Sequence, residues 1–488
     1  MSDVTRDIST TESHLQPCRP HHHGELPCNK DEEDEERRHF HQVCNSYQQY
    51  ATFHQVTEQG VNHRRGRLLS SMNAVVEDGG PTVESILQKS LSQHQMKKNN
   101  ELFCQATIRN QYFLDNVLKH CGAMTSQEVL RDRNEVEAFE VEWTTEDQIS
   151  KIDSVLKSIY RDWSIEGREE RSVVYDKLLG ALDKYLPIRG NDDAVMNNST
   201  DDDFNNYNDR GPPKNNPPRV AVPGSGLGRL AFEIYAKGYS SQGSDFSLPM
   251  LLASDFILNG CSGTDTGSHR KFAISPWIHE TKNVKSLQDR CRTVVVPDVV
   301  AAVEPSDDGE LAPDFTMLAG EFLSLYSHFL PGNRCVDGEF QADSVEKFNA
   351  VVCSFFIDTA PSLPHYLITI YHMLENGGLF VSIGPLMWHW SGHGAVLPDD
   401  LANGSMNETS NVQGDFINAK HKQRTEHLDQ RYLQSVDFTW EETRALIVNC
   451  GFEILEEEFD IRTRYTSDAM SMKKVDYDCV FFVARKIA

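Results

Sequence analysis

The sequence lacks a long hydrophobic run. No stretch of its 488 residues approaches the roughly 18 consecutive apolar residues of a spanning helix. Its polar start, Met1 to Glu36, has no apolar core of the kind a signal peptide carries. Basic charge is also short: 47 Lys and Arg stand against 73 Asp and Glu, a formal net charge of −26. Nucleic acids and anionic membranes select a basic surface, so this balance argues against both as partners. The 11 cysteines, scattered from Cys18 to Cys479, form no Cys-x-x-Cys pair. An odd count of this kind reads as reduced thiols of a cytoplasmic protein, with the nucleus as the alternative compartment. Without secretion, the sequons at Asn198, Asn403 and Asn407 carry no glycan. Cys18, His21, His22, His23 and Cys28 are of types that suit zinc, but their polar, proline-containing surroundings read as an unstructured segment, and no metal is expected.

Large apolar residues are scarce in three stretches: Met1 to Arg38 with its acidic run, the Asn/Asp/Pro tract Gly190 to Pro217, and Ser391 to Tyr432. Their apolar content cannot offset the entropy of ordering, so all three are expected to lie outside the folded core. The remainder divides into a helical extension over 39–189 and a larger domain over 218–488 that carries 391–432 as an insert. In the extension, Phe40, Val43, Cys44, Tyr47, Tyr50 and Ala51 follow helical spacing, as do Ile149, Ile152, Val155, Leu156, Ile159, Tyr160 and Trp163. Thr144 to Asp147 reads as a capping box at the start of the second run. A third helix, Val174 to Leu186, ends at Pro187.

Beyond the Asn-rich tract, short apolar runs alternate with helical segments, the pattern of a parallel α/β sheet. Strands are expected at Arg219–Val222, Ser240–Ser244, Thr293–Val296, Asn349–Ile357, Leu379–Ile383, Phe452–Phe459 and Asp478–Ala484. Helices are expected at Gly228–Lys237, Leu248–Leu258, Leu363–Leu374 and Trp440–Cys450. The last two strands have no helix between them, so they should pair antiparallel.

Three motifs sit where this sheet would bind a ligand. Gly224, Gly226 and Gly228 follow the first strand and open a helix, where bare backbone can approach a ligand. Asp245 ends the second strand, where a carboxylate accepts both hydroxyls of a ribose. Asp358, in CSFFIDTA, stands at the C-terminal edge of the fourth strand, and His389 stands beyond the fifth in LMWHW. A carboxylate at that edge can orient a nucleophile's N–H or accept its proton. The alternative is a cap on the next helix. The glycine loop and Asp245 alone suit either a dinucleotide or S-adenosylmethionine.

Several long runs, VPGSGLGRLAFEIYAKGYSSQGSDFSLPMLLASDFILN, CSFFIDTA, GGLFVSIGPLMWHW and YTSDAMSMKKVDYDCVFFVARK, resemble the carnosine N-methyltransferase family, and the helix with YRDWSIEG resembles its N-terminal region. The resemblance spans about residues 39 to 488. It implies a Rossmann-like, seven-stranded class I methyltransferase sheet with an N-terminal helical extension, and S-adenosylmethionine as the donor of a methyl group to the imidazole of a histidine-containing dipeptide. Carried onto this chain, it implies that Arg161 reaches the donor's carboxylate end, with Ser158 one turn earlier. Gly224 supplies the loop, Asp245 the ribose contact, Glu321 and Phe322 the adenine contacts, and Ser354 lines the same site. The family has Asp, Cys and Gln where this chain has Glu321, Ser354 and Ser158. Asp358, His389 and Tyr477 are implied as contacts to the acceptor, which is a small molecule; Tyr477 is also explicable as a core aromatic on a strand. A homodimer is compatible with this picture. Other acceptors, histidine in peptides or proteins, stay open, as does a nicotinamide-dependent oxidoreductase and a binding protein without chemistry.

Overall fold

The computed structural model describes residues 30–71, 93–122, 144–188, 216–261, 270–301, 313–331, 346–390 and 435–487. In chain order these form α1 (Lys30–Ser71), α2 (Gln93–His120), α3 (Glu146–Trp163), α4 (Arg168–Tyr185), β1 (Arg219–Pro223), α5 (Arg229–Ala236), β2 (Ser240–Asp245) and α6 (Leu248–Asp255). There follow β3 (Phe272–Ile274), β4 (Val294–Val296), β5 (Phe315–Ala319), α7 (Phe322–Leu325), β6 (Phe348–Ser354), α8 (Leu363–Met373), β7 (Leu374–Gly384), α9 (Trp440–Asn449), β8 (Phe452–Arg464) and β9 (Asp476–Lys486). They group into two compact units, Met1–Ile159 with Leu248–Ala301 and Met470–Met472, and Tyr160–Ser247 with Ala302–Ala469 and Lys473–Ala488. The division falls within α3, whose last turn belongs to the second unit.

In the first unit, the apolar stripes of α1, α2 and α3 bury Tyr47, Tyr50, Phe113, Leu114, Ile152 and Leu156. Phe113, Phe256 and Phe272 meet edge to face, with ring centroids 5.2–5.6 Å apart. Inside lies a polar cluster centred on Asp153. The Tyr50 phenol donates to Asp153 Oδ1 at 2.9 Å, and the rings of His54 and His279 each reach the same oxygen at 3.2 Å. Burial alone would raise the Asp153 pKa, but the hydrogen bonds and charge of His279 and His54 outweigh it and hold the carboxyl well below its usual range. α1 begins at Lys30, so the acidic run Asp31 to Glu36, expected outside the fold, is helical. The cap of α3 uses Thr145 and Gln148, whose side chains bond each other's backbone N–H groups, one position later than expected. α2 was not among the expected helices, although Phe103, Ala106, Phe113, Leu114, Val117 and Leu118 are buried at helical spacing. The helix expected at Val174 starts earlier, at Arg168. The tracts 190–215 and 391–432, and the Cys18 to Cys28 group, lie outside the described residues.

The second unit holds a seven-stranded sheet ordered β5-β2-β1-β6-β7-β9-β8. β5, β2, β1, β6 and β7 run parallel, whereas β9 lies antiparallel to both β7 and β8, as the missing crossover helix requires. Residues alternate between faces at period two. Val351, Cys353 and Phe380 join Leu367, Ile370 and Ile447 of α8 and α9, while Ala350, Val352 and Val381 join Leu178, Leu182, Leu230 and Ile234 of α4 and α5. One expected strand is misplaced by sequence reading. Thr293–Val296 is not in this sheet; Val294–Val296 pairs with Phe272–Ile274 in the first unit, and the outer strand is Phe315–Ala319. Both are short runs with no periodicity to separate them, so only pairing decides. The order reverses between β1 and β6, so the crevice beyond their carboxyl ends is where this sheet would receive a ligand.

Candidate active site

The loop after β1 is built for close approach. Gly224, Gly226 and Gly228 take φ of +67°, +55° and +77°, values that cost an L-residue with a Cβ roughly 1–2 kcal/mol. At Gly224 a Cβ would also meet the Phe356 ring at 2.5 Å, whereas at Gly226 nothing lies within 4 Å. Asp245 closes the loop from β2. Its Oδ2 accepts the Gly226 N–H at 2.9 Å and its Oδ1 the Ser247 N–H at 2.8 Å. Burial pushes its pKa up while these backbone donors pull it back.

The last turn of α3 is locked onto the same loop by the residues of YRDWSIEG. The Trp163 indole donates to Leu227 O at 3.2 Å, and Arg229 Nη1 donates to Asp162 O at 2.9 Å. Arg161 donates through Nε and Nη2 to the two oxygens of Asp162, at 2.7 and 2.9 Å, and its guanidinium lies 4.4 Å from the centroid of Tyr465. The Tyr175 phenol holds Asp162 from behind at 3.1 Å. Arg171 draws the turn shut by donating to Arg161 O and Ser164 O, at 3.0 and 2.6 Å. A side chain at Gly167 would collide with the carbonyls of Tyr160 and Arg161, which explains the glycine.

Across the switch point, Asp358 is 2% exposed on a short 3-10 turn after β6. Its Oδ2 accepts the Met387 N–H at 3.1 Å, and its carbonyl accepts the His389 N–H at 3.0 Å. Burial raises the Asp358 carboxyl above its usual range, opposed by the Met387 bond and the nearby His389 charge. Tyr477 on β9 meets Phe355 edge-on at 6.2 Å, and Phe355 in turn packs on Tyr465 at 4.8 Å. The sheet edge thus carries a continuous line from Arg161 through Tyr465 and Phe355 to Tyr477. Ser354 ends β6 half-buried. Glu321 caps α7 by accepting the Ser324 N–H at 2.9 Å, and the Phe322 ring is buried against Tyr366 and Phe356, at 4.7 and 5.3 Å. Ser158 is buried on the part of α3 that belongs to the first unit.

Sequence reading does not single out Asp162, Phe355, Phe356 or Tyr465. Asp162 and Tyr465 stand inside the runs YRDWSIEG and YTSDAM. Their roles depend on contacts between α3, β6 and β8 that no local spacing encodes.

A parallel sheet of this order with an inverted β9, together with a glycine loop at the switch point, defines an S-adenosylmethionine-dependent class I methyltransferase. The residues fit that donor: at Gly224 a Cβ would strike the Phe356 ring, so the bare backbone is required there, Asp245 ends β2 bonded to the Gly226 N–H, and Arg161 brings a cation on the last turn of α3, which Trp163 bonds to Leu227 O of that loop. A family profile described as Carnosine N-methyltransferase matches residues 139–200 and 201–488, and the chain belongs to the carnosine N-methyltransferase family. It is 27% identical over 460 residues to carnosine N-methyltransferase of Rattus norvegicus, covering 94% of this chain and 88% of the relative. It is 30% identical over 339 residues to the Schizosaccharomyces pombe enzyme of that name, covering 70% and 71%. Among solved structures, magnesium protoporphyrin IX methyltransferase of Synechocystis PCC 6803 aligns at 10% identity and a TM-score of 0.30, covering 69% of this chain and 95% of that one. Membership of this family closes the nicotinamide-dependent alternative. No helix among the described residues is long and apolar enough to cross a membrane.

Proposed function

We propose that the protein transfers a methyl group to the imidazole pros nitrogen of carnosine, giving anserine, and that Asp358 orients the acceptor. The observation that carries this reading is a carboxylate 2% exposed at the ligand-binding edge of β6, fixed by the Met387 N–H. A neutral imidazole has one nitrogen lone pair and one N–H. With the N–H given to Asp358, the other nitrogen is left to attack. Transfer adds a positive charge to the ring, and the proton on the far nitrogen then passes to Asp358, whose burial raises its affinity for that proton. His389, bonded through its backbone to Asp358, and Tyr477, packed on Phe355, would border the acceptor.

S-adenosylmethionine would supply an activated methyl on its sulfonium. Arg161, held in one orientation by Asp162 and Tyr465, would hold the donor's carboxylate. Gly224 would admit its tail, Asp245 its ribose, and Glu321, Phe322 and Ser354 would complete its surroundings. Alignment of nucleophile, methyl and sulfur is then the protein's main contribution. Fluorescence microscopy tests the expected cytoplasmic location against the nucleus, and light scattering tests whether the chain is a homodimer.

The test is to incubate the purified chain with S-adenosylmethionine and carnosine and locate any methyl group by mass spectrometry. A product methylated at the pros nitrogen supports the reading. No product, with donor binding intact, moves the acceptor to histidine in other peptides or in proteins.

A further inference from the structure

Glu170 is a half-buried ionisable group beside this site that the reading above leaves unused. It sits in the first turn of α4, and its Oε2 accepts the Ser467 N–H at 3.1 Å, which ties α4 to the segment just after Tyr465. Its Oε1 is enclosed and accepts no hydrogen bond among the described residues. Burial pushes the carboxyl's pKa up, while the Arg161 charge and the backbone N–H groups of Ser467 and Thr466 pull it down, and Glu170 and Arg161 both meet the short segment from Tyr465 to Ser467. Arg161 spends Nε and Nη2 on Asp162 and lies over the Tyr465 ring. An enclosed carboxylate oxygen without a donor is costly. A primary ammonium brings three N–H donors and a positive charge, the chemistry that such an oxygen fits.

We propose that Glu170 accepts the primary ammonium group of a bound ligand, forming with Arg161 a two-point clamp for a zwitterion. This rests on the donor and acceptor reading above. Two ligands of that reaction carry the group: the donor, on its methionine tail, and the dipeptide, at its β-alanyl end. The neighbourhood of Arg161 favours the donor. An α-amino group and an α-carboxylate share one carbon, so a cation and an anion side by side match them, whereas the two charges of the dipeptide stand far apart.

The experiment compares the full-length wild type with Glu170→Gln, whose amide oxygen still accepts the Ser467 N–H. Calorimetry measures S-adenosylhomocysteine and its analogue lacking the α-amino group. Steady-state kinetics measure carnosine and N-acetylcarnosine. The expected result is about tenfold weaker S-adenosylhomocysteine binding in the variant, with unchanged binding of the desamino analogue. A higher KM for carnosine alone, with S-adenosylhomocysteine and N-acetylcarnosine unaffected, supports the clamp with the dipeptide as its source. Equal losses for all ligands, or none, overturn it. A wild type that neither binds S-adenosylhomocysteine nor methylates carnosine overturns the underlying reading and the clamp with it. If the Gln variant does not fold, Glu170→Asp, which withdraws the carboxylate by one methylene, makes the same comparison.

Discussion

His389 donates its backbone N–H to the carbonyl oxygen of Asp358 at 3.0 Å. The segment after β7 is thereby stitched to the turn after β6, and Met387 adds a second bond to the Asp358 carboxylate from the same segment. The two adjoining strands of the parallel sheet share one edge, and this pair of bonds makes that edge a rigid seat.

Replacing Asp358 by Asn keeps the size and an acceptor for the Met387 N–H but removes the charge. Turnover should fall by about 10²- to 10⁴-fold, with S-adenosylhomocysteine binding unchanged in calorimetry. Folding raises the Asp358 pKa, so its contribution to stability is fullest below the unfolded value and is lost as pH rises through the folded one. At pH about 7 the Asn variant should melt no lower than the wild type. A large fall in its melting temperature would show that the carboxylate is structural.

The pH profile of the wild type follows from the same residue. Both the acceptor imidazole, with a pKa of about 6.5, and Asp358 must be deprotonated for attack. kcat/KM with carnosine should therefore fall as pH drops below about 6.5. A rate that rises toward acid would contradict the role given to Asp358.

Two glycine substitutions separate backbone strain from steric exclusion. Gly226→Ala has space for its methyl group and should lose roughly 1–2 kcal/mol from its positive φ alone. Gly224→Ala carries the same strain and also meets Phe356 at 2.5 Å, so it should lose more stability and weaken S-adenosylhomocysteine further. Urea denaturation and calorimetry on both variants check the order.

Asp162 orients Arg161 without facing a ligand in this scheme. Asp162→Asn should weaken S-adenosylhomocysteine by about tenfold while leaving kcat at saturating donor within about threefold. A loss confined to kcat would show that Asp162 acts on the chemical step instead.

In the first unit, Asp153 and His279 set a pH window. The Asp153 pKa is depressed, so its stabilisation holds above about pH 4 and is lost as pH falls through the folded value. Burial disfavours the charged His279 ring, but Asp153 and Glu280 outweigh it and raise its pKa. Its contribution is complete below about pH 6.5 and is lost as pH rises through the folded value. Asp153→Asn should cost about 3 kcal/mol near pH 5.5 and less at pH 8, in urea denaturation at both values.

The class of sheet, the glycine loop, Asp245 at the end of β2 and Asp358 at the edge of β6 are legible in the unfolded chain. Each follows from short-range rules: periodicity, glycine turns, and the position of a polar residue at a strand's end. Local pattern also set the antiparallel closing pair, because Phe452–Arg464 and Asp476–Lys486 leave no room for a crossover helix. That Phe315–Ala319 is the outer strand while Val294–Val296 pairs elsewhere follows from strand pairing in the folded chain, since both are equally plausible as strands until their partners are known. The same holds for the latch on Arg161. Asp162, Tyr175 and Tyr465 come from two helices and the residue just past a strand, and their meeting depends on packing across about 300 positions of sequence, as Tyr465 against Arg161 shows. Long-range contacts of that kind leave no period in the chain, so they become legible only once the chain is folded.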